Sequence, residues 1–386
     1  MDAKQLTTLF EKNYGATQEP VHCFFAPGRV NLIGEHIDYN GGFVFPAALS
    51  VGIWGALRFR DDNRVCLKST NAELAVNLEL TDTLMFLSED GWANYPKGVF
   101  AKLFNAGMTL KGCDILFSGN LPDGAGLSSS AAILVLTAFM LRSAAGETEI
   151  DRVALARFCQ QVENEFIGVN CGIMDQFSIA MGQKDKAMLL DCETLAYEYI
   201  PFVLQEHSLV IMNSNKKREL ADSKYNQRRS ECEAALDILR RRKALKNLCQ
   251  ASVAEVEEQL SDATLRRRAR HVVTENERVK QAKICLMQGD MVGFGQLMRE
   301  SHASLRQDYE VTGRELDCLV DLALKAPGCI GARMTGAGFG GCAIALVKRD
   351  AITAFSEQVG AGYSQATGLK ADFHVAAVSD GVKILD

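Results

Sequence analysis

Three segments of the 386-residue sequence are rich in glycine or polar residues, and they carry the side chains best suited to chemistry. The first, Pro27 to Asn40, has the sequence PGRVNLIGEHIDYN. Its carboxylates can accept hydrogen bonds from hydroxyl groups, and its arginine, asparagine and histidine provide directional donors and acceptors. Its glycines let the backbone turn and approach a ligand closely. This composition suits recognition of a molecule with several hydroxyl groups, and it also fits a solvated, capped loop.

The second segment, Leu121 to Ala131, has the sequence LPDGAGLSSSA and leads directly into an apolar stretch. Glycines followed by serines at a helix start leave backbone N–H groups unpaired, beside hydroxyls and the positive end of the helix dipole. Such a helix start can bind phosphate, and an ordinary serine cap is the other interpretation. A Walker A loop is excluded because no Gly-Lys-Ser/Thr follows.

The third segment, Arg333 to Cys342, has the sequence RMTGAGFGGC. Its glycines satisfy the G-x-G-x-x-G spacing of dinucleotide sites. That motif requires a helix directly after it, whereas Cys342 to Val347 has the pattern of a strand. We therefore reject the dinucleotide interpretation.

Two isolated carboxylates lie between the second and third segments. Glu163 falls on a predicted helix, Asp151 to Phe166, and Asp175 follows a loop at 168–172. Phosphoryl transfer to an alcohol uses a divalent cation on the phosphates and a carboxylate beside the attacking hydroxyl. One residue could therefore bind a metal and the other accept a proton, although a lone carboxylate is more often a surface charge or a cap.

The elements that would position these residues are mixed helices and strands. A short strand is predicted from His22 to Ala26, ended by Pro27-Gly28, and alternating residues predict an antiparallel sheet further on. Its strands are Val51 to Arg60, Arg64 to Ser69 and Leu74 to Leu80. The principal predicted helices are Trp92 to Phe104, Ser128 to Ser143, Lys224 to Lys243 and Asp262 to Gln288, and the final strand is Ala371 to Val378.

The length predicts two domains, because a single hydrophobic core stops growing at roughly 250–300 residues. The composition becomes richer in charged helices after residue 223. We place the boundary so that residues 1–205 form the N-terminal domain and residues 206–386 the C-terminal domain.

The composition favours a small-molecule partner. The formal net charge is -6, whereas nucleic acid or an anionic membrane requires concentrated positive potential. Basic runs at 240–243 and 266–268 lie near acidic residues without interleaved aromatic residues, so we interpret them as solvated helix faces. We expect no nucleic-acid or membrane partner, and a monomer or a weak homo-oligomer.

The cysteines and the apolar blocks predict a cytoplasmic location. The 12 cysteines are scattered singly, without a C-x-x-C pair or a zinc-finger spacing. We expect most of them to be small buried residues in a reducing compartment. The N-terminus lacks an apolar signal core, and the longest apolar block, Ala131 to Leu141, is too short to span a bilayer.

Together, the segments resemble the galactokinase family of the GHMP small-molecule kinase superfamily. Gly28 to Asn40 resembles the family's sugar signature, Gly124 to Ala131 the superfamily's phosphate motif, and Gly336 to Gly341 its third motif. Cys171 to Gln176 and Tyr225 to Arg229 also match, and the resemblance covers nearly the whole chain. It implies an α+β, two-domain GHMP kinase fold with the active site in the interdomain cleft. The N-terminal domain would resemble domain 2 of ribosomal protein S5, and the C-terminal domain would be a ferredoxin-like α/β domain.

The resemblance also implies an activity and its residues. The reaction would be ATP-dependent phosphorylation of α-D-galactose at the C1 hydroxyl, giving α-D-galactose 1-phosphate and ADP, with Mg²⁺ as cofactor. The implied sugar contacts are Glu35, His36, Ile37, Asp38, Gly172 through its backbone, and Tyr225. The implied ATP contacts are Ser69, Gly124, Ala125, Gly126, Leu127, Ser128, Ser129 and Ser130. Asp175 would be the catalytic carboxylate, Arg29 the cation beside it, and Ser130 and Glu163 the Mg²⁺ ligands.

Two departures from the family pattern and two alternative functions remain. Ile37 replaces the familiar threonine of the sugar signature, and Ala337 replaces a glycine of the third motif. One alternative is a related sugar 1-kinase acting on N-acetylgalactosamine or L-arabinose. The other is a non-catalytic galactose sensor; such relatives lose part of the serine-rich motif, which is intact here.

Overall fold

The protein forms three β-sheets with helices packed against them. The structure is a computed structural model that describes residues 1–81, 83–122, 126–216 and 221–385. Within these residues the strands are β1 (His22–Asn31), β2 (Phe43–Val44), β3 (Pro46–Phe59), β4 (Arg64–Ser69), β5 (Ala72–Glu79), β6 (Cys113–Gly119), β7 (Lys186–Asp191), β8 (Tyr197–Pro201), β9 (His207–Asn213), β10 (Cys329–Met334), β11 (Cys342–Lys348), β12 (Asp372–Ala376) and β13 (Lys383–Ile384). The α-helices are α1 (Ala3–Tyr14), α2 (Asn94–Asn105), α3 (Ser129–Ala144), α4 (Arg152–Val162), α5 (Met174–Met181), α6 (Ala221–Leu239), α7 (Val253–Gln259), α8 (Ala263–Gln288), α9 (Met291–Ser304), α10 (Gly313–Lys325) and α11 (Ile352–Thr367).

The largest sheet has six strands in the order β13-β1-β3-β6-β4-β5. The strands predicted to form an antiparallel sheet, β3, β4 and β5, all lie in this sheet, and β5 pairs antiparallel with β4. Strand β6 lies between β3 and β4 and pairs parallel with β4. The predicted strand from Ala371 to Val378 is present as β12, but it is not the last one, because β13 follows it and pairs with β1. Both ends of the chain therefore contribute to this sheet. The predicted boundary at residues 205 and 206 falls between β8 and β9 and stays a prediction.

Strand β1 continues past the point where the sequence predicted its end. The register against β3 shifts between Pro27 and Arg29, which accommodates the proline in a bulge. The strand then continues to Asn31. Arg29 and Asn31 are thus held on a rigid strand inside the fold, and both are buried.

Helix α3 is the central helix of the N-terminal half. All of its residues from Ala131 to Leu141 are buried, and the helix packs on β1 and β3. Its first turn follows the glycine-serine loop, so the sheet and the core fix the direction of the helix start. Among the described residues, no helix has the length and apolar character needed to cross a membrane.

The second sheet has four antiparallel strands in the order β10-β11-β9-β12, and the third has three in the order β2-β7-β8. Helices α9 and α10 pack on β10, and α11 packs on α10 and β11. Strand β11 begins directly after the third glycine-rich segment, as predicted. The segment therefore forms the connection between β10 and β11.

The charged helix α8 is not simply a solvated face. Arg268 is only 3% exposed and forms ion pairs with Glu231 and Glu310. His271 and Glu275 on the same helix are fully buried. The prediction of a solvated basic run is thus wrong at Arg268, because α8 packs against α6 and α9 and needs internal charge partners.

None of the twelve cysteines forms a disulfide bond. Five are buried and seven are partly exposed, so fewer are fully buried than the sequence suggested. Burial raises the pKa of Cys113, Cys159 and Cys171. These thiols are therefore poorly ionised and weakly nucleophilic.

Candidate active site

A cavity of about 560 Å³ lies where the sugar signature, the loop before α5, the start of α6 and the third glycine-rich segment meet. Its polar lining comes from residues in both halves of the sequence. The lining residues are Arg29, Glu35, His36, Asp38, Glu163, Val169, Cys171, Gly172, Met174, Asp175, Ser223, Tyr225, Gly336 and Ala337. The structure thus brings eight of the predicted site residues into one cavity.

Arg29 and Asp175 form a two-pronged ion pair at the edge of this cavity. Nε of Arg29 donates to Oδ1 of Asp175 at 2.7 Å, and Nη2 donates to Oδ2 at 2.8 Å. Burial by itself would lower the pKa of Arg29, but the nearby carboxylates, Asp175 foremost with Glu35 and Asp38, together raise it. The guanidinium is therefore permanently charged, while the aspartate side chain keeps 28% exposure towards the cavity.

The serine-rich loop is tied directly to this ion pair. The Ser128 hydroxyl donates to Oδ2 of Asp175 at 2.5 Å, and Nη1 of Arg29 donates to the carbonyl of Gly126 at 2.8 Å. The Arg29 amide donates to the carbonyl of Leu127 at 3.2 Å. Ser128 adopts a φ of 63°, a left-handed conformation that is costly for a serine and that these contacts maintain. The loop and the ion pair thus form one unit.

The rest of the loop is divided between described and undescribed residues. Gly124 and Ala125, both predicted ATP contacts, lie outside the described residues. Leu127 is buried, whereas Ser129 and Ser130 at the start of α3 are accessible. The accessible first turn of α3 provides the unpaired N–H groups that an anion would need.

Glu163 sits where α4 passes into a single π-helical turn, Glu163–Ile167. Such π-turns occur frequently at functional sites. Its carboxylate accepts a hydrogen bond from Nε2 of Gln176 at 2.6 Å, and it is also hydrogen-bonded to Ser130. Burial, and after it Asp175, raises the pKa of Glu163. A nearby cation would relieve this cost, so Glu163 and Ser130 form a candidate site for one.

Most of the hydrogen-bond acceptor positions of the Glu35 carboxylate are occupied by other residues of the protein. Its Oε1 accepts from the Gly336 amide at 2.7 Å and the Thr335 hydroxyl at 3.0 Å, and its Oε2 accepts from Asn31 at 2.8 Å. Nη1 of Arg333 lies 3.6 Å from Oε1. A carboxylate offers about four acceptor positions, so roughly one remains for a ligand. Glu35 therefore joins the sugar signature to the third segment and can contribute one ligand contact.

Asp38 and Gly172 face each other across the cavity wall. A Cβ atom built on Gly172 would lie 1.8 Å from Oδ2 of Asp38, so only glycine fits against this carboxylate. Burial, and after it the charge of Asp175, raises the pKa of Asp38 to about 7. Hydroxyl donors from a ligand would favour its ionised form.

Replacing Gly172 by alanine is expected to weaken binding of galactose, the sugar that the family resemblance implies, at least tenfold, because the new methyl group must displace the half-buried Asp38 carboxylate. Calorimetric titration with galactose measures this effect. Gly119→Ala is the matched control, since its Cβ would meet nothing closer than 3.6 Å. Equal affinities for the two variants would contradict the proposed role of the Asp38 and Gly172 contact.

The remaining predicted contacts occupy different places. Tyr225 lines the cavity, and its phenol makes no hydrogen bond to another described residue. Ile37 is fully buried and does not line the cavity. Ser69 lies on β4 outside the cavity lining, where its hydroxyl accepts from the Asn71 amide at 3.1 Å. Ala337 does not have a positive φ, so its backbone conformation accepts a Cβ atom.

The family models match the chain at three places. The model described as the galactokinase galactose-binding signature matches residues 8–59. The models of the GHMP kinases N terminal domain and C terminal match residues 94–183 and 282–365. A galactokinase of Clostridium tetani is 49% identical over 99% of this chain and 97% of its own length. This chain belongs to the galactokinase family.

Other members of the galactokinase family are similarly close. A galactokinase of Halalkalibacterium halodurans is 50% identical over 94% of this chain and 92% of its own length. The crystal structure of Lactococcus lactis galactokinase complexed with galactose matches with a TM-score of 0.94 and 44% identity, covering 99% of both chains. Methanococcus jannaschii mevalonate kinase, 16% identical over 94% of this chain and 99% of its own, shares the fold with a TM-score of 0.69. The predicted two-domain α+β GHMP kinase fold is confirmed.

Several residues that shape this galactokinase-family site were not predicted as site residues. Asn31, Thr335 and Arg333 bind Glu35 or its neighbouring backbone, and Gln176 binds Glu163. All four lie inside segments that the sequence analysis singled out, which is the available sequence signal. Nothing in the local sequence of Arg333 indicates that its side chain would be completely buried.

Proposed function

We propose that this chain catalyses ATP-dependent phosphorylation of α-D-galactose at the C1 hydroxyl, giving α-D-galactose 1-phosphate and ADP. The observation that carries the proposal is the position of Asp175. Its carboxylate opens to the cavity lined by the sugar signature and is also hydrogen-bonded to Ser128 of the phosphate loop. A carboxylate between a hydroxyl-binding cavity and a phosphate-binding helix start is suited to phosphoryl transfer to an alcohol.

On the sugar side, the Tyr225 phenol, the Asp38 carboxylate, the remaining acceptor position of Glu35 and the Gly172 backbone would hold the hydroxyl groups. The galactose named in the Lactococcus lactis complex supports this assignment. Of the other predicted contacts, Ile37 is enclosed in the core and would contribute by supporting the chain between His36 and Asp38.

On the nucleotide side, the 124–130 loop and the first turn of α3 would bind the ATP phosphates. Ser130 and Glu163 would hold Mg²⁺, since a carboxylate and a hydroxyl are the hard oxygen ligands this ion prefers. No group of three or more histidine, cysteine, aspartate or glutamate ligands occurs in the described part of the chain, so phosphate oxygens would complete the coordination. The cation, when bound, offsets negative charge on the phosphates.

The chain's own residues then account for the transfer. Oδ1 of Asp175 accepts one protein donor and has room for the C1 hydroxyl, which it would orient towards the phosphoryl group. The C1 oxygen forms a bond to the γ-phosphorus, the bond from that phosphorus to the β-phosphate oxygen breaks, and the hydroxyl proton passes late to Asp175. Arg29 has two further N–H groups that can stabilise the charge on the transferring group.

A coupled ADP-release assay with galactose, N-acetylgalactosamine, L-arabinose and mevalonate tests this proposal. We expect turnover with galactose to exceed turnover with the others by at least tenfold. A preference for N-acetylgalactosamine or arabinose would replace galactose as the substrate. Galactose binding without ADP release would support the sensor alternative instead.

Galactose binding is expected to strengthen as the pH rises from 6 to 8. Below pH 7 the Asp38 carboxyl is protonated, because its pKa is raised to about 7, and sugar hydroxyls donate best to the ionised form. Binding at pH 7 should therefore release protons. Calorimetry in two buffers of different ionisation enthalpy measures this release, and Asp38→Asn should abolish it. An affinity independent of pH in the wild type would contradict the assignment.

We also propose a cytoplasmic location and a monomer or weak homo-oligomer. Twelve cysteines without a disulfide bond suit a reducing compartment. Cell fractionation tests the location, and light scattering over a range of concentrations tests the assembly.

A further inference from the structure

A continuous chain of hydrogen bonds runs behind the sugar signature. Sγ of Cys232 lies 3.1 Å from the Tyr309 hydroxyl, which lies 2.9 Å from the Tyr39 hydroxyl. The Tyr39 hydroxyl lies 2.9 Å from Nδ1 of His36, and Nε2 of His36 lies 3.2 Å from the carbonyl oxygen of Ala337. The chain thus connects α6 to the third glycine-rich segment through His36.

The direction of every bond in this chain follows from its last member. A carbonyl oxygen only accepts, so the proton of His36 must be on Nε2. Nδ1 of a neutral imidazole is then an acceptor, and Tyr39 must donate to it. Each hydroxyl has one proton, so Tyr309 must donate to Tyr39, and the thiol of Cys232 must donate to Tyr309.

Burial and charge around the chain keep His36 neutral. Burial, and after it His271, lowers the pKa of His36 to about 3. His271 is fixed in the same way, because Nε2 lies 3.0 Å from the Glu35 carbonyl oxygen and Nδ1 lies 2.9 Å from the Ser304 hydroxyl. Arg228 and Arg333 also disfavour a charged His36.

The backbone of His36 also requires its side chain to be held by neighbouring residues. His36 has a φ of 60°, which is unfavourable for a residue with a Cβ atom and requires external support. Both ring nitrogens are engaged by the protein, so the ring is not free to hydrogen-bond a sugar. The His36 ring instead packs against the Tyr225 ring, with centroids 5.6 Å apart, and the Tyr39 ring also contacts Tyr225, with centroids 5.3 Å apart.

We propose that His36 is a positioning residue, locked as the Nε2–H tautomer by a one-directional hydrogen-bond chain from Cys232 through Tyr309 and Tyr39. The chain holds Ala337 and the Tyr225 ring in place at the wall of the sugar cavity. Its effect on galactose rests on the proposed function, whereas the tautomer does not.

Side-chain ¹H–¹⁵N correlation spectra of the full chain test the tautomer without any activity. The sequence has six histidines, so the His36 signals can be assigned by their loss in His36→Asn. We expect the wild type to show protonated Nε2 and hydrogen-bonded Nδ1. Tyr39→Phe should shift the Nδ1 resonance towards that of an unbonded nitrogen, and Tyr309→Phe should shift it less, because it acts through Tyr39. Protonated Nδ1, or equal shifts in the two variants, would overturn the proposal.

Calorimetry and kinetics test the positioning role on the same variants. Tyr39→Phe should weaken galactose binding roughly tenfold, because the buried Nδ1 of His36 loses its hydrogen-bond donor. The kcat at saturating galactose should stay within about twofold of the wild-type value. Tyr197→Phe, which removes the same atom from a 42% exposed tyrosine outside the cavity, is the control. Unchanged galactose affinity in Tyr39→Phe would overturn the positioning role. A wild type with the expected tautomer but no galactose binding would refute the proposed function and leave the tautomer assignment intact.

Discussion

Asp175→Asn is expected to lower kcat by about 10²–10⁴-fold while galactose still binds. The amide has the size of the carboxylate, but it cannot take the proton that the C1 hydroxyl loses. It also presents an N–H group on one side, so it cannot accept from Arg29 on both prongs and from Ser128 at once. Steady-state ADP release measures kcat, and calorimetry measures galactose binding.

The control for this variant separates loss of chemistry from loss of structure. Asp350→Asn makes the same chemical change at an exposed aspartate outside the cavity and should leave both readouts unchanged. Thermal unfolding of Asp175→Asn should also be compared, because Arg29 is only 4% exposed and loses its counter-charge. Turnover like that of the wild type in a folded Asp175→Asn would refute the proton-acceptor assignment.

Glu163→Gln is expected to raise the Mg²⁺ concentration for half-maximal activity at least tenfold, and Ser130→Ala should act in the same direction. Loss of even an outer partner of a metal ligand typically costs about 10–100-fold in affinity, and the charged ligand itself should cost no less. Galactose binding without nucleotide should stay unchanged, because neither side chain belongs to the proposed sugar contacts. Mg²⁺ titration of ADP release at saturating galactose gives the measurement.

Glu165→Gln is the matched control for the metal site. It removes the same charge two residues further along, from a side chain that is 67% exposed and paired with Lys102. The same Mg²⁺ dependence in Glu163→Gln and Glu165→Gln would show that Glu163 does not hold the cation. A shift confined to the galactose affinity of Glu163→Gln would assign it to the sugar side instead.

Much of the local structure was predictable from the sequence because its signals are local. The helix from Asp262 to Gln288 and the strand from Arg64 to Ser69 were predicted to within a residue, since caps, turns and hydrophobic periodicity act over a few positions. The end of β1 was predicted wrongly. Pro27 and Gly28 normally end a strand, but pairing with β3 carries β1 through them in a bulge.

The candidate site was likewise predictable from the sequence only in part. The motifs carry the residue types, their order and the family resemblance, so Arg29, Asp38, Glu163 and Asp175 could be named as candidates without coordinates. The sequence could not predict which atoms of these side chains bind other protein groups and which remain open to a ligand. Two of the three hydrogen bonds that the Glu35 carboxylate accepts come from residues about 300 positions away in the sequence, and no local pattern contains that information.

The sequence by itself thus determined the family, the chemistry that the side chains can perform and most of the helices and strands. Only the tertiary structure decided which polar groups remain available. It places Arg268 in ion pairs inside the fold, fixes the proton of His36 through Tyr39 and Ala337, and ties Asp175 to Ser128. The physical reason is that a buried polar group without a partner is costly, so most buried polar groups are paired, and the packing of distant segments determines which partner lies within reach.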